Sequence, residues 1–357
     1  MRIIAFIFTT MFILISCKEK DKGYSINGIA KSIEDSTAVY LLLDNKKIDS
    51  TIVVGEKFEL NGIVDGPVKI VLDVDGTRDF KYFWLENSSI EFKAEKGKFR
   101  EANIIGSRTQ LEEDLLDTRL EVVDKGRDSI ENKYSDRQES FVDSISKAYS
   151  RRRDAEIQRQ FVMEFPNSLV SSSMLSTYCT AWGKETTKML FDRFSSENKN
   201  SKYGKNISRY IELNKDLTIG NHFVDFEMLD TEGNKSKLSD MNGKKAVLLE
   251  FWAAWCAPCR QENPNLVKTH EKYKNEGFEV FAVSLDVDRE YWLKAIAKDS
   301  LNWVHVSDLK MFHNQAALIY GVNAIPDNFL IDGDGIIVGR DLKGKELDDK
   351  LGQLLHH

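Results

Sequence analysis

Apolar and polar positions keep three different rhythms along this chain. From Tyr24 to about residue 107 the rhythm is two. Tyr24-Ser25-Ile26-Asn27-Gly28-Ile29-Ala30 and Lys57-Phe58-Glu59-Leu60-Asn61-Gly62-Ile63-Val64 alternate, Ala38 to Leu43 and Pro67 to Val74 are short apolar runs, and Lys81 to Leu85 and Ser89 to Phe92 follow. Turn residues separate them at Asp44-Asn45, Val54-Gly55-Glu56, Asp65-Gly66-Pro67, Asp75-Gly76 and Glu86-Asn87-Ser88. Short strands punctuated in this way predict a small antiparallel sandwich or barrel over residues 24–107.

From 108 to 217 the period becomes helical. Leu111, Leu115, Leu116 and Leu120 share a face; Ile130, Tyr134, Phe141, Ile145 and Tyr149 continue it, and Ile157, Phe161 and Phe165 carry it to Pro166. Gly126 is a candidate interruption of the first helix. Leu169 to Trp182, Lys184 to Phe194 and Ile207 to Leu213 read as further helices, with Ser195 to Lys205 polar and turn-like. About half of this region is too polar to be core. Arg151-Arg152-Arg153 is expected on a solvated face, since so short a run falls below interaction-tail length.

The last part, 218–357, mixes both rhythms. Phe223 to Asp230 and Ser236 to Ser239 flank the turn Thr231-Glu232-Gly233-Asn234. Buried strands are predicted at Lys245 to Phe251 and Phe278 to Leu285, a short one at Trp303 to Val306, and others at Asp327 to Asp332 and Ile336 to Asp341. Helices are predicted at Cys259 to Lys274, Arg289 to Lys298, His313 to Tyr320 and Glu346 to Leu355. This order gives an α/β domain, a mixed sheet with helices on both faces. Asp332-Gly333-Asp334-Gly335 lacks the ligand spacing and distal Glu of a calcium loop and reads as hairpin chemistry.

Composition changes this picture little. Of 357 residues, 41% are apolar and 30% charged, ordinary for a globular protein, and a formal charge of −7 leaves no basic footprint for nucleic acid. The N-terminus changes it more. Met1-Arg2 precedes an apolar run, Ile3 to Ile15, too short to span a bilayer and matching a signal-peptide core. Its exit, Leu14-Ile15-Ser16-Cys17, resembles a bacterial lipobox. The resemblance implies cleavage of residues 1–16, a lipid on Cys17, and a solvated tether over 17–23 (Cys17-Lys18-Glu19-Lys20-Asp21-Lys22-Gly23). Lys18 after the cysteine weakly favours the outer membrane by analogy with known lipoproteins.

Four cysteines occur: Cys17, Cys179, Cys256 and Cys259. Cys179, within Leu169 to Trp182, is expected to be a small buried apolar residue. Cys256 and Cys259 form a Cys-x-x-Cys between an apolar strand and a helix, the context in which this spacing means redox chemistry. A thiolate at a helix start is stabilised by free backbone N–H groups and the helix dipole. Cys256 is therefore the expected attacking thiolate and Cys259, one turn on, the thiol that closes the disulfide. The competing zinc reading needs a second Cys or His pair, and none follows; no metal and no cofactor are expected.

Phe251-Trp252-Ala253-Ala254-Trp255-Cys256-Ala257-Pro258-Cys259-Arg260 resembles the active-site segment of thioredoxin-like proteins. Phe226, Asp230, Gly233, Leu238-Ser239-Asp240 and Gly243-Lys244 upstream resemble the TlpA/ResA branch, which shares them with peroxiredoxins. Peroxiredoxins carry a Thr three residues before a single peroxidatic cysteine; here that position is Ala253. Over 24–107, Ile48-Asp49-Ser50, Gly55-Glu56-Lys57-Phe58, Gly62, Pro67 and Leu85-Glu86-Asn87 resemble a β domain of unknown function that often precedes thioredoxin modules in lipoproteins.

The resemblance implies that Cys256 is the more exposed nucleophile and Cys259 the buried resolving thiol. Ala257-Pro258 would tune the potential, and Pro258, lacking an N–H to offer the thiolate, suits a reductant. Glu250, six residues before Cys256, stands where thioredoxins keep a buried acid that could take the Cys259 proton through a water; Glu262 is a further acid near the site. Gly321-Val322-Asn323-Ala324-Ile325-Pro326 matches the segment before the family's cis-proline, with Pro326 at the cis position. Trp255, Ala257, Pro258, Ile325 and Pro326 would then meet the partner's chain, and Asp327 departs from the small or hydroxyl residue common there.

The function so implied is an extracytoplasmic, membrane-anchored thiol-disulfide oxidoreductase. It would reduce or isomerise disulfides of exported cysteine-containing proteins, cytochrome c maturation being a special case, and draw electrons from an upstream membrane donor. A lipid-anchored binding or scaffold module and, less favoured, a thiol peroxidase are the alternatives.

Overall fold

The computed structural model describes residues 23–356. The expected signal peptide, Cys17 and nearly all of the expected tether lie outside them. Contacts divide the chain into two compact units, up to Asp154 and from Ala155 on.

The first unit holds two four-stranded sheets and the start of the helical region. Strands β1 (Tyr24–Lys31), β4 (Lys57–Gly62), β7 (Ser89–Glu95) and β8 (Asn103–Ile105) form one sheet in the order β4-β1-β7-β8. The others, β2 (Ala38–Leu43), β3 (Lys46–Ile52), β5 (Val68–Val74) and β6 (Phe80–Leu85), form the second in the order β3-β2-β5-β6. Alternation along β1 buries Tyr24, Ile26, Gly28 and Ala30 and leaves Asn27 and Ile29 outward. The core includes Ile26, Leu41, Leu72, Phe83 and Phe92. Strands β3 and β8 carry no pattern that foretells them. Lys46-Lys47-Ile48-Asp49-Ser50-Thr51-Ile52 pairs only with β2 at the sheet edge, where no position is fully buried and no alternation is required.

Helix α1 (Arg108–Lys133) runs through Gly126, contrary to the expected interruption. The glycine is there for packing: a Cβ at 126 would lie 2.0 Å from the Tyr149 hydroxyl of α2 (Glu139–Glu164). The missing side chain admits the neighbouring helix, at a propensity penalty a 26-residue helix tolerates.

The second unit begins with α3 (Leu169–Trp182), α4 (Lys184–Asp192), α5 (Ser196–Asn200) and α6 (Lys202–Leu213). Their core includes Leu175, Trp182, Leu190, Phe194 and Ile207, with Val162 of α2. Residues 196–200 and 202–205 are helical, where a turn was expected. Ser195 and Ser201 cap α5 and α6, accepting from the backbone N–H of Asn198 and Gly204 at 3.2 and 3.0 Å. Buried Asn198 donates to the carbonyls of Pro166 and Ser168 at 3.0 and 2.9 Å. The polar residues here make caps and cross-links, which a hydrophobicity pattern does not register.

The C-terminal module is a thioredoxin-like mixed sheet. Among the described residues its strands are β9 (Glu227–Asp230), β10 (Lys235–Lys237), β11 (Ala246–Trp252), β12 (Phe278–Ser284), β13 (Val304–Ser307), β14 (Asp327–Asp332) and β15 (Ile337–Arg340), in the order β10-β9-β13-β12-β11-β14-β15. Strands β11, β12 and β13 are parallel neighbours; β14 runs antiparallel to β11. Every residue of β11 is buried, as a strand covered on both faces requires. Helices α7 (Ala257–Tyr273), α8 (Arg289–Asp299), α9 (Gln315–Tyr320) and α10 (Gly344–Leu355) complete it.

Candidate functional site

Strand β11 delivers the chain to its edge at Trp252, and Ala253-Ala254-Trp255 turns it into α7. Cys256 is the N-cap of that helix. Its sulfur accepts from the Cys259 backbone N–H at 3.2 Å, and its carbonyl accepts from Arg260 N at 3.0 Å. The two cysteines form a disulfide with Cα atoms 5.2 Å apart. Pro258 lies in the first turn, where a missing N–H leaves no helical bond unmade. The cap position explains the chemistry on offer: a reduced Cys256 would face the unpaired N–H groups and positive end of a 17-residue helix.

Cys256 is 4% exposed against 1% for Cys259, the expected order, with both sulfurs buried in the closed disulfide. The closed disulfide turns the Cys256 sulfur toward Cys259, and the accessible surface is left to Trp255, Ala257 and Pro258. Trp255, 42% exposed, meets Phe312 edge-on with ring centroids 6.4 Å apart.

Glu250 is buried on β11 opposite Asn328 of β14. Burial pushes its carboxyl well above the ordinary carboxylate range; a hydrogen bond with Asn328 and the charge of Lys343 oppose the shift, while Asp327 and Glu262 add to it. Glu262 accepts from Gly344 N at 2.9 Å and from Asn265 Nδ2 at 3.1 Å, so it ties α7 to the start of α10.

The strand carrying Asn328 begins directly after the Ile325-Pro326 peptide, which is cis. Ile325 and Pro326 are half-buried, Asn323 and Ala324 exposed. Asp327 is buried and paired with Arg340 of β15, whose Nη2 and Nε donate at 2.7 and 3.2 Å. The residue that departs from the resembling family thus serves an internal ion pair.

Two residues outside the expected set hold the active-site turn. The buried carboxylate of Asp286 accepts from Ala254 N at 3.0 Å and from Ser284 Oγ at 2.8 Å. On the other side, Arg260 Nη1 donates to the Ala254 carbonyl at 3.1 Å. Asp299 receives the Arg260 guanidinium and, at 2.7 Å, Asn263 Nδ2. One residue, Ala254, two before Cys256, is therefore gripped at both its carbonyl and its N–H. Sequence spacing gives no sign of this, because Asp286 lies 32 residues from Ala254.

Cys179 belongs to a different cluster, with Tyr210 and Leu318. Burial pushes its thiol up to about 12. Among the described residues no group of His, Cys, Asp and Glu side chains could hold a metal ion. None of the described helices is long and apolar enough to cross a membrane.

Comparison with known proteins agrees with this geometry. Residues 219–340, which include Glu250, the disulfide and Pro326, match the AhpC/TSA family. Residues 24–112 match a domain of unknown function, DUF4369. The thiol-disulfide oxidoreductase ResA of Bacillus cereus is 32% identical over 151 residues, which span 41% of this chain and 82% of that protein. ResA of Bacillus subtilis is 30% identical over 122 residues, 34% of this chain and 66% of its own length. The thioredoxin domain of a thiol-disulfide oxidoreductase from Bacteroides vulgatus is 34% identical, covering 39% of this chain and 99% of that one with a TM-score of 0.37. Through its C-terminal module the chain belongs to the ResA-type thiol-disulfide oxidoreductases, and residues 24–112 add a domain that lies outside the AhpC/TSA match.

Proposed function

We propose that Cys256 and Cys259 are the redox pair of a protein-disulfide reductase that works outside the cytoplasm, tethered to a membrane by a lipid on Cys17. In the dithiol form the Cys256 thiolate attacks one sulfur of the partner's disulfide. The Cys256–partner bond forms as the partner's S–S bond breaks, and the departing thiolate takes up a proton. Cys259 then loses its proton to Glu250, through a water, and attacks the Cys256 sulfur. The Cys256–Cys259 disulfide forms, the second partner thiolate leaves, and two electrons have passed to the partner. An upstream membrane dithiol donor restores the pair. Trp255, Ala257 and Pro258 on one side and Ile325-Pro326 on the other receive the partner's chain.

The observation that carries this reading is the Cys256 sulfur at the N-cap of α7, accepting the Cys259 N–H at 3.2 Å. It is a site built to favour the thiolate over the thiol. Pro258 withholds a further N–H, which favours reduction of partners over oxidation. The experiment is trapping. Cys259→Ser in the native envelope is expected to accumulate mixed disulfides through Cys256 with exported cysteine-containing proteins, identified by mass spectrometry. Absence of such adducts, together with failure of the purified protein to accelerate dithiothreitol-driven insulin reduction, would sink the reading and leave a binding or scaffold module.

A further inference from the structure

Helix α9 connects two loops. The segment before it brings Phe312 to Trp255, and the segment after it runs from Gly321 to the cis Ile325-Pro326 peptide. A helix of six residues has little stability of its own, so its position must be imposed from outside. At its start, Asn314 Oδ1 accepts from Ala317 N at 3.1 Å, and Asp308 accepts from Asn314 Nδ2 and Gln315 N at 2.8 and 3.1 Å.

Its end is held by a different part of the chain. The last carbonyls of a helix have no intrahelical donor. Here the segment leaving α6 supplies two: Asn214 Nδ2 donates to the Leu318 carbonyl and Lys215 N to the Ile319 carbonyl, each at 3.1 Å. Asn214 is 1% exposed and is itself fixed on two sides. Its carbonyl accepts from Lys184 Nζ at 2.7 Å, and its Oδ1 accepts from Asp216 N at 3.2 Å. Leu318 packs on Cys179 and Tyr210 of the same helical segment. Asn214 also crowds the first residue of the loop, since a Cβ on Gly321 would stand 3.0 Å from its Nδ2. All of these holding groups precede residue 219, where the family match begins.

We propose that Asn214 is a positioning residue. Through it the helical segment 169–217 fixes α9, and with α9 the loop that receives the partner's chain. Affinity for a disulfide-bearing protein then depends on the helical segment, while chemistry at Cys256 does not. The inference rests on the reading of Ile325-Pro326 as the partner-binding loop.

The test uses the full chain and two substrates, insulin and the small disulfide cystine, which needs no extended loop contact. Asn214→Ala is expected to raise the KM for insulin about tenfold, the size one buried hydrogen bond supports, with kcat within about twofold and cystine rates unmoved. Asn214→Asp, which keeps the acceptor and loses the donor, should match it. Lys184→Met should move the insulin KM the same way by a few-fold, and answers the question if the Asn214 variants do not fold. Hydrogen exchange at 321–326 should quicken in each. An unchanged insulin KM, or equal losses on insulin and cystine, would overturn the proposal. Wild-type protein that reduces neither substrate would instead overturn the functional reading beneath it.

Discussion

Cys179 and Cys256 are both buried cysteines on helices of the same unit, and they are built for opposite ends. Cys179 lies inside α3 among apolar neighbours, with its Sγ 3.4 Å from the Ser176 carbonyl, and burial raises its thiol to about 12. Cys256 is the N-cap of α7, where its sulfur receives a backbone N–H. Both are nearly inaccessible in this state, at 3% and 4% exposure, so exposure does not separate them. What separates them is the end of the helix. Inside a helix the amides are consumed by carbonyls and the thiol meets only desolvation; at the N-cap free amides and the dipole favour the charged form.

Removing the nucleophile should have the largest effect. Cys256→Ser is expected to lower insulin reduction by on the order of a thousandfold or more, since the covalent step has no substitute. Cys179→Ala is expected to leave it within about twofold. Comparable losses from both would erase the contrast.

Glu250 sharpens the comparison with a carboxyl that burial pushes well above the ordinary carboxylate range. Glu250→Gln should slow resolution of the mixed disulfide by about tenfold to a hundredfold at neutral pH and remove one limb of the pH–rate profile. Linkage gives a second reading. Its folded carboxyl is raised above the unfolded value of 4.5, so the folded state keeps a proton that the unfolded state releases. Stability contributed by this group is therefore complete below pH 4.5 and is lost as pH rises toward the folded value. Thermal melts of Glu250→Gln should show a shallower decline over that window than wild type; parallel curves would contradict the assignment.

Asp286→Ala tests the grip on Ala254. It strands a buried N–H and is expected to cost about 1–3 kcal/mol in a denaturant melt, and to slow insulin reduction through a looser turn. The smallest effect belongs to Cys179→Ala in the same melt, about 1 kcal/mol for a lost buried sulfur.

What was legible in the sequence is what short-range patterns can carry. The strand–turn–helix around Cys256, the buried run of β11 and the proline before β14 each declare themselves within ten residues. Three kinds of feature were not legible. Polar caps at Ser195 and Ser201 turned an expected loop into two helices, and Gly126 served a neighbouring helix rather than a break. Bonds from side chain to distant backbone, such as Asp286 to Ala254 and Asn214 to Leu318, leave no periodic trace, because 32 and 104 residues separate their partners. Edge strand β3 escaped for a simpler reason: little of it had to be buried.

The central claim is that position on a helix, and not residue type or burial, makes Cys256 the reactive thiol. Alkylation of the fully reduced native protein by iodoacetamide, followed by mass spectrometry at each pH, tests it directly. The account predicts that Cys256 is modified first, with a midpoint below the ordinary cysteine value of about 8.5, and that Cys179 stays unmodified until the protein unfolds. A midpoint for Cys256 at or above that value, or modification of Cys179 at a comparable rate, would contradict it.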